Sequence, residues 1–203
     1  MIPSLQRRSL ILGLGALALA PAPGFAAVSA DPSDKPGGTW ALDRQHASVS
    51  FRVQHMGVSF YVARFNQMDA TLTWDPRNPT ASRLTASVDV TTMDVGADYS
   101  RRFADQFLDA GHFPRATFTS TALTRSGPNR GQMTGDLTLR GQTRPVTFDV
   151  AFNGVGPGLI PLTARAGFTA TGSIRRSDFG STFLQNIVAD DVAVAIEAEF
   201  ARR

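Results

Sequence analysis

Apolar and polar residues alternate with a period of two along most of the chain after Thr39. Successive side chains of a β-strand point to opposite faces, so this alternation indicates strands that bury one face and expose the other. The clearest cases are the segments 48–53, 70–74, 84–90, 146–152, 166–170 and 192–200. Half-buried strands of this kind are typical of antiparallel sheets. The pattern therefore predicts an all-β domain.

Segments rich in proline and glycine separate the alternating runs and predict turns at 74–80, 126–131 and 153–158. The region from 97 to 111 lacks the alternation, and Phe103, Phe107 and Leu108 have there the spacing of a short amphipathic helix. About eight strands and one short helix fit a closed antiparallel β-barrel or a β-sandwich. The pattern alone leaves both architectures open.

The N-terminal residues 1–26 predict a signal peptide. Arg7 and Arg8 precede an apolar run from 10 to 20 that is too short to span a bilayer. The arginine pair fits a twin-arginine signal or an ordinary Sec signal, and cleavage fits Ala26, Ala27 or Ala30. Residues 27–38 are expected to form a mobile leader, and 39–203 the folded domain. The mature chain is therefore expected to leave the cytoplasm.

Composition excludes several classes of site. The chain has no cysteine, which excludes disulfides and thiolate metal sites, and its length suffices to bury a core without them. The net charge is only +3, and the arginine pairs at 101–102, 175–176 and 202–203 are scattered along the chain. A nucleic-acid partner needs a clustered basic face, so we expect none.

The spacing of the three histidines does not indicate a metal site. His46 and His55 are nine residues apart and would face opposite sides of one continuous strand, while His112 lies in a predicted turn. Arg176 and Asp178 share a strand face and are predicted to form a structural ion pair. Neither a nucleophile elbow nor a phosphate-binding or dinucleotide-binding glycine motif occurs. We therefore expect a protein that is not an enzyme and has no metal or cofactor, the alternative being a small enzyme with His46 as acid or base.

Five segments carry the motifs of a known family, in the same order and over nearly the whole predicted domain. They are LDRQHASVSFRVQHMGVS (42–59), FPRATFTS (113–120), GDLTLRGQTRPVTFDVAFNG (135–154), GFTATGSIRRSDFG (167–180) and DDVAVAIEAEF (190–200). Through these segments the chain resembles the bacterial YceI family. It departs from the family pattern at 63–65, where Ala-Arg-Phe replaces Gly-x-Phe, and at 98–114, which lacks an Arg-Asp-x-His-Leu cluster.

The resemblance implies a fold and a ligand. The fold is an extended lipocalin-like antiparallel β-barrel of about eight strands with one short helix. The ligand is a long isoprenoid lipid, either a polyprenyl phosphate or an isoprenoid quinone, which a soluble protein exported to the periplasm carries or sequesters in an apolar tunnel. A homodimer and transient membrane contact are further expectations. The alternative function is a structural or envelope-stress interaction protein with a packed interior.

The predicted inner faces mix phenylalanine with alanine and glycine. These residues alone favour an ordinary packed core, whereas the resemblance implies a tunnel. The predicted tunnel wall consists of Phe51, Val53, Phe65, Leu72, Phe103, Phe107, Leu108, Phe118, Phe148, Phe168 and Phe179. Polar residues near the mouth would bind the lipid head group, and the candidates are His46, Arg101, Arg102, Arg175 and Arg176.

Overall fold

The computed structural model describes residues 28–34, 37–158 and 163–203. The predicted signal peptide lies outside these residues. Within them the chain forms one α-helix, α1 (Ser100–Leu108), and ten strands. The strands are β1 (Gly38–His55), β2 (Ser59–Phe65), β3 (Met68–Trp74), β4 (Arg83–Asp89), β5 (Met93–Asp94), β6 (Arg115–Gly127), β7 (Arg130–Leu139), β8 (Gln142–Pro157), β9 (Ala164–Arg175) and β10 (Val188–Arg202). Short 3-10 turns occupy Pro32–Asp34, Pro79–Ala81, Val90–Thr92 and Arg176–Phe179.

Eight of these strands close into an antiparallel barrel. The order of hydrogen-bonded neighbours is β1-β3-β4-β6-β7-β8-β9-β10, and β10 pairs with β1 to complete the circle, with Phe51 opposite Val194. Closure gives each of these eight strands a hydrogen-bonded neighbour on both sides, which suits a long meander of antiparallel strands. The prediction of an all-β barrel with one helix is confirmed.

Strand β1 is long enough to have two neighbours on the same side. Its first residues pair with β3, and its second half, from Val49 to His55, pairs with β2. A register shift between Leu42 and Ala47 marks the irregular stretch between the two halves. The far edge of β2 pairs with β5 at Arg64 and Phe65.

Two clusters of buried side chains lie toward the two ends of the barrel. At the end with the β3–β4 and β6–β7 turns, the cluster is built around Trp40, whose ring meets Trp74 edge-on with centroids 5.0 Å apart. At the opposite end, helix α1 packs over Val90, Met93 and Leu139. We call these the turn end and the helix end. Near the turn end, Ser29 of the predicted leader forms a β-bridge with Val155.

Helix α1 lies within the region that the sequence predicted to be helical. Its buried face carries Ala104, with Phe103 and Leu108 packed against the same cluster. Asp109 ends the helix in the left-handed conformation. Its N–H donates to the carbonyls of Ala104 and Asp105. Within the described residues, no helix combines the length and the apolar character that crossing a membrane requires.

Candidate functional site

An apolar cavity of about 450 Å³ runs through the interior of the barrel. This volume lies within the range of small-molecule binding sites. All eight barrel strands, β2 and α1 contribute side chains to its wall. Most of these side chains are apolar, because the inward positions of the alternating strands carry phenylalanine, leucine, valine and alanine. A wall of this chemistry matches a hydrocarbon ligand.

Ten of the eleven residues predicted to line a tunnel contribute to this wall. They are Phe51, Val53, Phe65, Leu72, Phe103, Phe107, Leu108, Phe118, Phe148 and Phe168. The period-two pattern places the strand residues among them, since residues of the same parity on one strand share a face. The helix contributes Phe103 and Phe107 because residues four apart lie on the same helical face.

Phe179 does not line the cavity. The chain leaves β9 after Arg175 and enters the 3-10 turn Arg176–Phe179, which ends the period-two alternation. The ring of Phe179 is instead fully buried in the cluster at the helix end with Val90 and Leu139. Its role in the structure is to anchor the turn.

Two glycines keep the cavity open beside two of its phenylalanine rings. A methyl group added at Gly172 would lie 2.7 Å from Cδ1 of Phe148 and 3.1 Å from the carbonyl oxygen of Thr147. A methyl group added at Gly135 would overlap the ring of Phe118. The rings of Phe118 and Phe148 meet edge-on, with centroids 5.8 Å apart. Because glycine has no side chain, both rings can lie close to the barrel wall.

A row of aromatic rings crosses the helix end of the cavity. Consecutive ring centroids are 6.2 Å apart from Tyr61 to Phe103, 5.5 Å from Phe103 to Phe107, and 5.1 Å from Phe107 to Phe183. The Tyr61 hydroxyl donates to the Tyr99 hydroxyl at 3.2 Å. Burial and this hydrogen bond raise the pKa of Tyr61 to about 12, so its hydroxyl stays neutral.

Arg176 is the one buried cation among the described residues that line the cavity. Its side chain is in the wall, and the residue is only 6 % exposed. Nε donates to the carbonyl of Ala189 at 3.0 Å, and Nη2 donates to that of Val188 at 2.8 Å. Nη1 donates to the carbonyls of Ser181 and Phe183 at 2.7 and 2.9 Å. Four of the five guanidinium N–H groups are thereby used, and one on Nη2 remains.

The charge of Arg176 is balanced by carbonyl dipoles. Burial lowers the pKa of Arg176 and the charge of Asp190 raises it, and an arginine remains protonated in either case. The predicted ion pair with Asp178 does not form, because the 3-10 turn places the guanidinium inside the loop that follows it. A ligand oxygen near the remaining N–H would meet a desolvated positive charge.

A YceI-like domain model matches residues 40–200, which is most of the chain. The chain belongs to the YceI family. Protein YceI of Escherichia coli O157:H7 is 41 % identical over 139 residues, which cover 66 % of this chain and 71 % of that protein.

Solved structures share the fold of this YceI barrel. Burkholderia cenocepacia BcnA superposes with a TM-score of 0.68 at 27 % sequence identity, covering 78 % of this chain and 98 % of BcnA. A polyisoprenoid binding domain from Saccharophagus degradans, implicated in plant cell wall breakdown, superposes with a TM-score of 0.60. That domain is 15 % identical, and the match covers 81 % of this chain and 98 % of the domain. At this identity the likeness concerns the fold alone.

The other predicted head-group residues lie outside the cavity of the YceI barrel. Arg101 lies 3.6 Å from Asp105 on the exposed side of α1, and Arg102 is also exposed there. Arg175 pairs with Asp190 at 3.0 Å on the outer face of the barrel. His46 is exposed and lies 3.0 Å from Asp43. Arg175 faces outward because its neighbour Arg176 faces inward and successive strand residues alternate. His46 lies in the irregular stretch of β1, where the alternation is interrupted.

Asp43, His46 and Glu199 form a group whose potential ligand atoms lie within 4.8 Å of one another. Arg165 lies in the same place, with Nη1 2.5 Å from Asp43 and 3.6 Å from Glu199. The hydrogen bond from His46, followed by those from Gln45 and Arg165, lowers the pKa of Asp43 against the opposing effect of burial. The guanidinium therefore supplies the positive charge that a metal ion would otherwise bring.

Several residues of the cavity wall were not predicted from the sequence. Tyr61 and Phe152 have the same parity as Phe65 and Phe148, so the alternation carried a signal for them. Leu184 lies in an irregular loop and had no periodic signal. At the turn end, Arg125 on β6 and Arg130 on β7 line the cavity beside the turn between these strands, and the sequence predicted only the turn itself.

Proposed function

We propose that this YceI barrel binds a long-chain isoprenoid lipid, either a polyprenyl phosphate or an isoprenoid quinone, and acts as a carrier or sequestering protein in the periplasm. The observation that carries the proposal is the cavity itself: a closed barrel encloses an apolar space with one buried cation in its wall. A fully packed core would leave no such space, so the cavity supports lipid binding over a purely structural role. The signal-peptide features of residues 1–26 support the periplasmic location.

The size of the hydrophobic effect makes such binding feasible. Burial of a dozen chain carbons stabilises a complex by about 10 kcal/mol at ~0.8 kcal/mol per methylene. That free energy corresponds to a dissociation constant on the order of tens of nanomolar. A bilayer buries the same tail equally well, so the protein exchanges lipid with membranes unless it also binds the head group. Arg176 is the wall residue suited to that task, through its remaining N–H.

The arrangement supports binding rather than catalysis. The hydroxyl of Tyr61, which lies in the wall, is bonded to the hydroxyl of Tyr99. His46, the candidate acid or base, lies outside the wall with Asp43 and Arg165. A positioned proton donor or acceptor must reach the reacting group, and the His46 side chain does not face the cavity.

A ligand titration tests the proposal, with Trp74 in the wall as the fluorescent reporter. We expect an isoprenoid quinone to quench the fluorescence of the wild-type protein with saturation, and native mass spectrometry to show one bound lipid. Ala170 lines the wall, so Ala170→Leu fills the cavity and should weaken binding at least tenfold. Ala122 is exposed on β6, so Ala122→Leu is the matched control and should bind as the wild type does.

Two results would overturn the proposal. One is a wild-type protein that takes up neither an isoprenoid quinone nor a polyprenyl phosphate. The other is equal binding by wild type and Ala170→Leu, which would place the lipid outside the barrel. Either result would favour the interaction-protein alternative.

A further inference from the structure

Exposed apolar side chains concentrate at one end of the barrel. Met56 and Val58, in the β1–β2 turn, are 65 % and 86 % exposed. Phe183, Leu184 and Ile187, in the loop between the 3-10 turn and β10, are also exposed. The Met56 N–H donates to the Ile187 carbonyl at 2.7 Å, which joins the two loops. We call these five residues the apolar rim.

The other exposed large apolar side chains are also distributed unevenly over the surface. The described residues contain five further exposed large apolar side chains. Phe60 and Val62 continue the exposed face of β2 from Val58, and Tyr99 and Phe113 flank helix α1. The fifth, Val28, lies near the turn end. Exposed apolar patches of this kind mark contact with a partner or a membrane.

The backbone at two rim positions disfavours the residues that occupy it. Met56 and Leu184 have φ angles of 54° and 52°, in the left-handed region where glycine and asparagine are preferred. Met56 and Gly57, with φ of 71°, are the central residues of a turn closed by the Val58 N–H and the His55 carbonyl. Asn-Gly is the preferred pair for such turns. Both residues therefore lower the stability of the fold through their backbone conformation, and burial of their side chains does not offset this cost.

The charges around the rim fit a lipid surface. Residues 53–63 and 181–189 contain no aspartate or glutamate, so no carboxylate opposes insertion from these loops. Arg52 precedes the hairpin, and its guanidinium lies 4.4 Å from the centre of the exposed Phe60 ring. Arg102 is exposed on the neighbouring helix. Apolar side chains flanked by arginines are typical of surfaces that lie at a membrane interface and contact anionic lipids.

The rim is continuous with the cavity. Leu184 belongs to both the rim and the cavity wall, and the ring of Phe183 packs on Phe107, which also lines the wall. We propose that the apolar rim docks on a lipid bilayer, so that an isoprenoid tail passes between membrane and cavity without crossing water. This inference rests on the proposed function, because it names the surface through which that function loads and unloads its ligand.

Vesicle sedimentation tests the docking surface. The protein without its predicted signal peptide is mixed with vesicles of phosphatidylethanolamine and phosphatidylglycerol, and the bound fraction is measured against lipid concentration. Met56→Asn combined with Val58→Ser and Ile187→Ser should lower the partition coefficient at least tenfold. None of these three side chains lines the cavity. Uptake of an isoprenoid quinone added without vesicles should therefore stay at the wild-type level.

Two further variants guard against misinterpretation. Val28→Ser removes an exposed apolar side chain at the turn end and should leave vesicle binding unchanged. Met56→Asn alone creates the preferred Asn-Gly pair, so its melting temperature should equal or exceed that of the wild type while vesicle binding falls. A variant that both binds less and melts higher separates loss of docking from loss of folding.

The outcomes distinguish this inference from the proposed function. If the triple variant binds vesicles as the wild type does, the docking surface is wrong, whatever the cavity holds. If it loses vesicle binding while even the wild type takes up no isoprenoid, docking stands and the proposed ligand fails. If the substitutions instead convert a dimer into a monomer in sedimentation velocity and leave vesicle binding intact, the rim is an interface between two copies and membrane docking is overturned.

Discussion

The guanidinium carbon of Arg176 lies 5.8 Å from the centre of the Phe107 ring, where helix α1 covers the end of the barrel. This contact connects two parts of the chain: the helix that carries Phe107, and the loop that holds Arg176 through its carbonyls and packs Phe183 on Phe107. A cation over an aromatic face is stabilised most when both are desolvated. The helix end of the cavity is therefore built around a single buried arginine.

Arg176→Lys should destabilise the fold by about 3 kcal/mol. An ammonium group cannot reach the four carbonyls that the guanidinium fork holds, and each buried group left unsatisfied costs roughly 1–3 kcal/mol. Urea denaturation measures the loss. Arg175→Lys is the matched control, because Arg175 is exposed and pairs only with Asp190, and should change stability by less than about 0.5 kcal/mol. Equal losses in the two variants would contradict the structural role of Arg176.

Gly172→Ala should weaken isoprenoid binding about tenfold and destabilise the fold by ~1–3 kcal/mol. The added methyl group would lie 2.7 Å from the Phe148 ring, which must then move into the cavity. Gly111→Ala serves as the control, because its methyl group would meet nothing closer than 3.8 Å. Quinone titration followed by Trp74 fluorescence compares the two. Unchanged affinity in Gly172→Ala would show that the lipid does not reach Phe148.

The period-two pattern predicted the barrel strands and most of the wall, because each inward phenylalanine of a regular strand follows from its neighbours two residues away. Phe51, Phe148 and Phe168 are of this kind. The pattern failed where the strand ends. Arg175 faces outward and Arg176 inward as the alternation requires, but the 3-10 turn that begins at Arg176 buries Phe179 away from the cavity.

Long-range contacts explain what no local pattern carried. Arg176 is buried because carbonyls up to 13 residues further along the chain accept its hydrogen bonds. Two of those carbonyls belong to the loop before β10 and two to the first residues of β10, so no local pattern predicted that they would surround this guanidinium. Closure of the sheet likewise depends on the pairing of β1 with β10, at opposite ends of the domain. Strand patterns fix which face is apolar, but not which strands meet.

Asp190→Asn should reduce stability near neutral pH by about 1 kcal/mol and flatten its loss in acid. Burial by itself would raise the pKa of Asp190, but hydrogen bonds from Ser177 and Arg175 together lower it below 3.8. The carboxylate therefore stabilises the fold above about pH 4, and this contribution disappears as the pH falls through the lowered pKa. Urea midpoints measured near neutrality and at about pH 3 test this.

The exposed neighbour Asp191 provides the control for this pH dependence. Asp191→Asn preserves the bonds from the Ser177 N–H and hydroxyl to Asp190, at 2.8 and 2.7 Å. It should therefore lose stability in acid as the wild type does. If the urea midpoint of the wild-type protein is no lower at about pH 3 than near neutrality, the stabilising role of the Asp190 carboxylate is wrong.

Phe107→Ala should accelerate lipid exchange about tenfold, because Phe107 is the central ring of the aromatic row that crosses the helix end. A faster off-rate with a smaller change in on-rate is the usual result of opening a binding site. Stopped-flow transfer of a quinone from protein to acceptor vesicles measures the rate. Phe113→Ala removes an exposed ring at the same end that does not line the cavity, and should leave the rate unchanged. If Phe107→Ala also leaves the rate unchanged, the lipid passes through the turn end instead, where Arg125 and Arg130 line the wall.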